Sequence, residues 1–510
     1  MGNFKDENGN AEKLANGNPQ KFHESKAEKA ERFKSLYIVY FTLFLQSLGL
    51  AIAMTGIWPY LNKLDPSSTK GFYSIIVAAN PLGQFIFSPL IGFWTNKSTS
   101  IRVPIIASLV IFMISNALYT SLDLIEDGVK YWMLIIRFFT GVASANIAVG
   151  RSYISAATKV DERTHALSMA SLAQVTGFIV GPLLQALFTT IGDGFQLPGG
   201  MMFSMYTAPG WVNVLFGAAN IIILMPHFFQ DHNIAVREQM FIQGKESAKE
   251  TWKSVKLDQG IIWSLIFSYF IVAFNLVILE SLATPLTMDQ FAFSRKETLK
   301  WNGILVGIGA LVSCIIFGLL PRVSKMYKEI DILIWAGLFV AVLGKILYIP
   351  YRNDSPKLAV DREYMDANGT ICYYEDDHPE VLGCPISTQP WCADQPALGI
   401  PEFVIGYFLG VIGYPIGVTL IQSLFSKTLG ARPQGTWMGI MLASGSMSRI
   451  VGPLIVVGSY TSFGTGWTFG WITIFMMIPI ALLYVLRHRL SLETPKNLDL
   501  DMANNNPQSA

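Results

Sequence analysis

The stretch Ala173–Pro182, AQVTGFIVGP, decides the fold, because its pattern returns at Ser444–Pro453 as SGSMSRIVGP. In each copy small residues lie four positions apart and a Gly-Pro pair closes the stretch. Small residues at this spacing share one helix face and let two membrane helices approach closely. Pro59 and Pro285 form a second matching pair, one near the start of each half. The chain is therefore predicted to contain two similar halves.

The composition indicates a membrane protein. Of the 510 residues 51% are hydrophobic and only 14% are charged, and the mean hydropathy is +0.40. A hydrocarbon core of about 30 Å needs about 20 apolar residues per helix. We predict an all-α protein whose twelve spans are 36–58, 72–94, 103–122, 131–152, 165–190, 207–226, 259–283, 300–322, 330–350, 400–426, 436–458 and 466–487.

The positions of the 37 Lys and Arg residues set the predicted orientation, since they concentrate in cytosolic segments. Both termini are predicted to be cytosolic. The predicted organisation is a disordered tail (1–34), a six-helix half (35–226), a cytosolic connector (227–258), a second six-helix half (259–490) and a C-terminal tail (491–510). The net charge of +1 gives no indication of a nucleic-acid partner.

The long loop 351–399 in the second half is predicted to be lumenal. It contains two glycosylation sequons, at Asn353 and Asn368, which are useful only on that side. It also carries three of the four cysteines, which suggests a disulfide. We favour a Cys384–Cys392 pair with Cys372 left over, and three free thiols are the alternative.

A mid-membrane arginine begins the motif Arg137–Ala145, RFFTGVASA, in the fourth span. Its insertion costs about 3 kcal/mol, so the guanidinium should point into the bundle. Arg137 is either part of a solute pathway or bonded to the carbonyls of a neighbouring helix. The residues predicted to pack and bend the helices during gating are Gly141, Gly177, Gly181, Pro182, Ser448, Gly452 and Pro453.

Three further charged residues fall in predicted spans. Glu280 is the only acidic residue predicted inside a span, and it binds a proton or solute, or else snorkels to the surface. Arg449 interrupts the small-residue face of the second repeat and could meet Glu280 across a cavity. Lys345 lies near the lumenal end of its span and is predicted to snorkel.

Uncharged polar residues enrich the first half. Asn80 and Gln84 lie on one face of the second span, while Gln46 and Gln174 add amides on the first and fifth. They either line a cavity or form interhelical hydrogen bonds only. The sequence Gly413-Tyr414-Pro415 predicts a discontinuous tenth helix.

The loop after the second span carries Asn96 and has no acidic residue. A charge relay at this loop is therefore doubtful. Asp161-Glu162-Arg163 could supply part of a cytosolic latch, and a solvated charge cluster is the alternative.

Two six-helix halves and the Gly-x-x-x-Gly-Pro motif are typical of the major facilitator superfamily. From Ser35 to about Leu490 the chain resembles a lysosomal branch of that superfamily. The segments that carry this resemblance are Ile57–Leu61, Leu82–Gln84, Trp94–Asn96, Arg151–Tyr153, Thr284–Asp289, Pro433–Gly435 and Ala443–Ser446. The resemblance implies a late-endosomal or lysosomal location and an association with chloride conductance. No acidic dileucine sorting signal occurs in residues 1–34.

Three functions follow. The first is a carrier that moves a small solute or anion, with or without coupled protons, through the lipid bilayer by alternating access. The second is a chloride-permeable channel, which the mid-membrane arginines Arg137 and Arg449 favour electrostatically. The third is a non-transporting scaffold or receptor. No catalytic constellation or metal-ligand spacing is present in the sequence, so we expect neither an enzyme nor a cofactor.

Overall fold

The computed structural model describes residues 24–492, apart from 99, 126, 197–200, 246, 255–256, 352–355, 360–362, 366–370, 374–381 and 387. The predicted sequons at Asn353 and Asn368 lie outside the described residues, as do most of both predicted tails.

Six helical spans build the first half, and the fourth is broken in two at Ala145. Its helices are α1 (Lys26–Leu64), α2 (Lys70–Lys97), α3 (Arg102–Thr120), α4 (Val129–Ser144), α5 (Asn146–Ala156), α6 (Arg163–Phe188) and α7 (Ala208–Ile223). Short 3₁₀ turns occupy Leu122–Leu124 and Thr189–Ile191. Strands β1 (Phe195–Gln196) and β2 (Met202–Phe203) pair antiparallel before α7.

Two short helices, α8 (Ile234–Gln243) and α9 (Ala248–Ser254), lie in the connector. The second half contains α10 (Gln259–Phe291), α11 (Arg295–Met326), α12 (Glu329–Asp331), a π-helix (Ile332–Phe339), α13 (Val340–Ile346), α14 (Ile400–Leu429) and α15 (Gly435–Leu492). Gly464 has a φ of 79° and breaks α15 into two spans, because only glycine adopts this left-handed region readily.

The long loop carries four short strands: β3 (Leu358–Ala359), β4 (Glu363–Met365), β5 (Ile371–Tyr373) and β6 (Cys384–Pro385). β3 pairs with β6, and β4 pairs with β5. A disulfide joins Cys384 to Cys392, which lies in the 3₁₀ turn Pro390–Ala393, with the Cα atoms 5.9 Å apart. Cys372 lies in β5, and its side chain is outside the described part.

The helices match the twelve predicted spans in number and order. Within the described residues nine helices are long and apolar enough to cross a membrane, and one of these is the double span α15. The shorter apolar helix α7 and the segment 329–346 complete the set. The fold is thus an all-α membrane protein.

Both repeated stretches pack against the first helix of their own half. A Cβ on Gly181 would lie 2.4 Å from the Cβ of Ala51 in α1, and one on Gly452 would lie 2.7 Å from Val277 Cγ1 in α10. The glycines therefore allow α6 to approach α1 and α15 to approach α10 more closely than any larger residue would.

The two halves meet mainly through α2 and α15. Here we name the face where α1 begins and α15 ends the tail side, and the opposite face the far side. A Cβ on Gly92 would lie 2.1 Å from the carbonyl oxygen of Gly435, and one on Gly439 would lie 2.3 Å from that of Ser88. The halves are therefore in backbone contact at the tail side.

Several predictions differ from the structure. Residues 26–34 are not disordered but form the first turns of α1, because Ser25 caps the helix and Arg32 is buried against Glu24 and Glu162. The helix α10 continues to Phe291, so Glu280 is not the only acidic residue in a span: Asp289 is in the same helix, and Glu402 is in the first turn of α14. Asp289 is buried and accepts hydrogen bonds from Tyr460 Oη (3.1 Å) and Gln389 Nε2 (3.3 Å).

Two local predictions were wrong. The helix α14 continues through Gly413-Tyr414-Pro415 without a break. Lys345 does not snorkel, since its side chain is 1% exposed and its ammonium lies 5.2 Å from the centre of the Tyr348 ring. The π-helix that precedes α13 accounts for this, because its wider turns rotate the residues that follow onto another face.

Candidate functional site

A chain of hydrogen bonds crosses the centre of the bundle. Gln84 Oε1 in α2 accepts from Arg449 Nη2 (2.6 Å) and Ser446 Oγ (3.0 Å) in α15. Gln84 Nε2 donates to the carbonyl of Ser144 at 3.4 Å. In α1, Gln46 Nε2 donates to Ser144 Oγ at 3.2 Å, and Gln46 Oε1 accepts from Asn146 Nδ2 at 3.4 Å. We call Gln46, Gln84, Ser144, Asn146, Ser446 and Arg449 the central polar network.

Arg449 is the cation of this network, and it is accessible although it lies inside the bundle. Glu280 in α10 is likewise accessible, and the charge of Arg449 acts on it. The two make no ion pair within 4 Å, since the guanidinium is held by Gln84. An accessible cation and an accessible carboxylate therefore face the same space between the halves.

Of the other predicted pathway residues, Asn80 is buried and its Nδ2 has no partner among the described residues. Its backbone carbonyl would lie 2.0 Å from a Cβ on Gly141, so this glycine sets the contact between α2 and α4. Asn80 thus contributes packing rather than cavity surface.

Arg137 is separated from the central polar network. It is 3% exposed, its Nε has no hydrogen-bond partner in the described part, and the groups that act on its charge are the Tyr119 and Tyr73 hydroxyls. These aromatic residues belong to the first half alone. The structure therefore does not bring Arg137 together with Glu280 or Arg449.

Gln174 in α6 accepts a hydrogen bond from Arg151 Nη2 in α5. The side chain of Arg151 is 4% exposed, whereas that of Gln174 is half-buried. The sequence predicted Gln174 as a pathway residue, but it assigned no role to Arg151, which donates to Gln174.

The tail side is closed by contacts across the halves. Thr164 Oγ1 in α6 bonds Ser423 Oγ (2.7 Å) and accepts from Lys427 Nζ (3.1 Å), and it also donates to Glu329. Arg163 Nη1 adds a second contact across the halves by donating to the Ser426 carbonyl at 3.2 Å. The Glu329–Lys427 ion pair (2.7 Å) lies within the second half and holds the two groups that bond Thr164. We call Arg163, Thr164, Glu329, Ser423, Ser426 and Lys427 the tail-side latch.

Asn96 adds an uncharged contact to this closure. Its Oδ1 accepts from the backbone N–H of Gly435 (2.8 Å), and its Nδ2 donates to Thr436 Oγ1 (2.9 Å). An amide from one half thereby caps the first turn of α15 in the other half, a role that needs no carboxylate. Of the predicted Asp161-Glu162-Arg163 cluster, Arg163 alone contacts the other half, and Glu162 pairs with Arg32.

The cross-half hydrogen bonds between described residues are confined to two levels of the bundle. Every hydrogen bond shown between described residues of the two halves lies at the centre or at the tail side. The accessible Arg449 and Glu280 thus lie in the space between the halves, and the cross-half contacts that close this space are at the tail side. No group of three or more His, Cys, Asp or Glu residues suited to a metal occurs among the described side chains.

Two similar six-helix halves that meet at a central polar network define the class of multi-pass membrane transport proteins. Residues 37–354 match the family model described as Major Facilitator Superfamily. The chain is 34% identical to the Major facilitator superfamily domain-containing protein 8 of Xenopus laevis, over 92% of this chain and 93% of that protein. The chain belongs to the Major Facilitator Superfamily and is not an enzyme.

More distant similarities agree with this fold. The chain is 23% identical to the class E tetracycline resistance protein of Escherichia coli, over 85% of this chain and 89% of that protein. The crystal structure of the human organic anion transporter MFSD10 (TETRAN) aligns with a TM-score of 0.61 at 16% identity, over 89% of this chain and 99% of that one.

Proposed function

We propose that the protein is an alternating-access carrier of a small anionic solute, with its binding site at Arg449, Gln84 and Glu280. The observation that carries this proposal is the hydrogen bond from the accessible Arg449 to Gln84, which joins the two halves at the centre of the bundle. A guanidinium presents several N–H donors and always carries its charge. The accessible cation therefore favours an anion.

The closed tail side favours a carrier over a channel. A channel needs a continuous path when it is open, whereas a carrier needs one closed and one open side in each state. The tail-side latch supplies the closed side of one of the two states that a carrier requires. Both the cytosolic orientation of the tail side and a lysosomal or late-endosomal location are part of this proposal, and they rest on charge distribution and on resemblance.

The test is chloride flux in proteoliposomes that contain the purified protein, with the initial rate measured against chloride concentration. A carrier gives a saturating rate and is accelerated by chloride on the opposite side. Arg449→Gln should reduce the maximal rate at least about tenfold, which corresponds to about 1.4 kcal/mol. Arg449→Lys should retain part of the rate, because it keeps the charge.

A non-saturating current that reverses at the chloride equilibrium potential would instead identify a chloride-permeable channel, the second candidate function. The accessible Arg449 favours this alternative too, since a cation in the path selects anions. Absence of any chloride flux in the wild type would overturn both readings for this anion.

Glu280 is proposed to couple transport to protons, because it is the accessible carboxylate of the same cavity. Glu280→Gln should then remove the dependence of chloride flux on a pH gradient while leaving flux at equal pH measurable. A variant whose flux stays equally sensitive to the gradient would contradict the coupling. Glu297→Gln, which changes an exposed carboxylate at the start of α11, is the matched control.

A further inference from the structure

Arg151 carries a buried positive charge that the protein itself does not neutralise. It is 4% exposed, and no carboxylate of the described residues lies within 4 Å of it. Of its donors Nη2 reaches Gln174, whereas Nε and Nη1 have no acceptor in the described part. Buried polar groups are normally hydrogen-bonded, and a buried charge without a counter-charge is costly.

Two tyrosines of the second half interact electrostatically with this guanidinium. Tyr269 in α10 and Tyr414 in α14 are the groups that act on the charge of Arg151. The Tyr269 oxygen accepts from Gln422 Nε2 at 3.3 Å, so its own proton is available for another acceptor. The site thus offers unused donors from both halves and lacks an acceptor.

The position of Arg151 relates it to the transport path. It follows Ser144 of the central polar network by about 10 Å toward the tail side, at 1.5 Å per helical residue. The Tyr414 hydroxyl interacts electrostatically with Arg151 and also with Arg449 and Glu280, so one side chain is near both charged sites. Arg151 is therefore located between the accessible Arg449 and the tail-side latch, on the closed part of the path.

We propose that Arg151 forms a second anion-binding subsite, which is occluded in this state and receives the solute after Arg449. This inference rests on the proposed function and deepens it. The ligand is a small anion, chloride or a carboxylate, held by the guanidinium and by the Tyr269 and Tyr414 hydroxyls. When the tail side opens, the subsite becomes accessible from that side.

Gln174→Glu is the sharpest test, because it replaces the amide by a carboxylate of the same shape. If Arg151 is only structural, the new ion pair should leave chloride flux unchanged. If Arg151 binds the anion, the new carboxylate occupies the position of the anion, and the maximal chloride flux should fall at least about tenfold. Gln174→Ala, which frees the guanidinium, should keep more flux than Gln174→Glu.

A binding measurement separates this inference from the proposed function. The melting temperature of the purified full-length protein is compared in chloride and in gluconate, an anion too large for an occluded site. The increase in melting temperature caused by chloride should persist in Arg449→Gln, become smaller in Gln174→Glu, and vanish in the double variant. If chloride raises the melting temperature of Gln174→Glu as much as that of the wild type, the subsite at Arg151 is wrong. The carrier proposal is judged separately, by chloride flux in the wild type and its loss in Arg449→Gln.

Discussion

At the scale of single residues, the arginines differ in whether a carboxylate lies close enough to neutralise their charge. Arg32 is completely buried and bonds Glu24 at 2.7 Å and Glu162 at 2.8 Å, which fixes the start of α1 to the loop before α6. Arg449 is accessible and bonded to a neutral amide, and Arg151 is buried with a neutral amide. Paired arginines stabilise the fold, whereas arginines without a carboxylate are suited to bind an anion.

The Glu24–Arg32 pair makes stability depend on pH. Burial opposes the charged form of the Glu24 carboxylate, but the hydrogen bond and charge of Arg32 outweigh burial and lower its pKa. A lowered carboxyl pKa adds stability above the pKa of the unfolded chain, and this stability is lost as the pH falls through the folded value.

Glu24→Gln should therefore destabilise the protein by about 1.5 to 3 kcal/mol at pH 7, the value of a hydrogen bond to a charged group. The difference in melting temperature between wild type and variant should shrink as the pH falls below about 4, near the intrinsic pKa of a glutamate. Glu31→Gln, an exposed change in the same helix, is the control. A difference that does not vary with pH would contradict the ion-pair account.

At the scale of helices, glycines decide which surfaces touch, and they do so in two distinct places. Gly181 and Gly141 set contacts within the first half, to α1 and to α2. Gly92 instead sets a contact between the halves, where a Cβ would meet the Gly435 backbone at 2.1 Å. Backbone atoms cannot move aside as a flexible side chain can, so a larger residue at Gly92 separates the halves.

Gly92→Val should therefore shift the protein from the tail-closed toward the tail-open state without unfolding either half. The measurement is the labelling rate of a cysteine introduced at the buried Ser423 by a membrane-impermeant maleimide. We expect an increase of at least about tenfold, since a shift of about 1.4 kcal/mol changes a two-state population by that factor. Gly458→Val, whose Cβ meets nothing within 4 Å, should leave the rate unchanged.

At the scale of the whole molecule, the two halves are joined at one side only by the contacts described, as one state of the proposed transport cycle requires. The tail-side latch and the Asn96 contact hold one side together, while the described residues show no hydrogen bond between the halves at the other. Transport by alternating access requires that these tail-side contacts break in every cycle.

A disulfide across the latch should stop the cycle. Thr164 Oγ1 and Ser423 Oγ are 2.7 Å apart, so the double variant Thr164→Cys/Ser423→Cys places two thiols within bonding reach. Oxidation should abolish chloride flux in proteoliposomes, and a reductant should restore it. Each single variant should be insensitive to oxidant. Flux that continues in the fully cross-linked protein would show that the halves need not separate at the tail side.

The sequence by itself determined the number and order of the spans and the two-half organisation. It could do so because apolar length and the spacing of small residues are local properties that the bilayer converts directly into helices. Gln84, Glu280 and Arg449 were also recognisable, since a polar or charged residue in an apolar helix needs a functional or structural reason.

Only the tertiary structure decided which of these residues work together. The bond between Arg449 and Gln84, the exclusion of Arg137 from that site and the acceptor-poor environment of Arg151 depend on contacts between helices far apart in the chain. The burial of Lys345 and the continuity of α14 likewise depend on helix rotation and on packing against neighbours. The physical reason is that a sequence shows which side chains are costly to bury, whereas the packing of the two halves decides which partner offsets that cost.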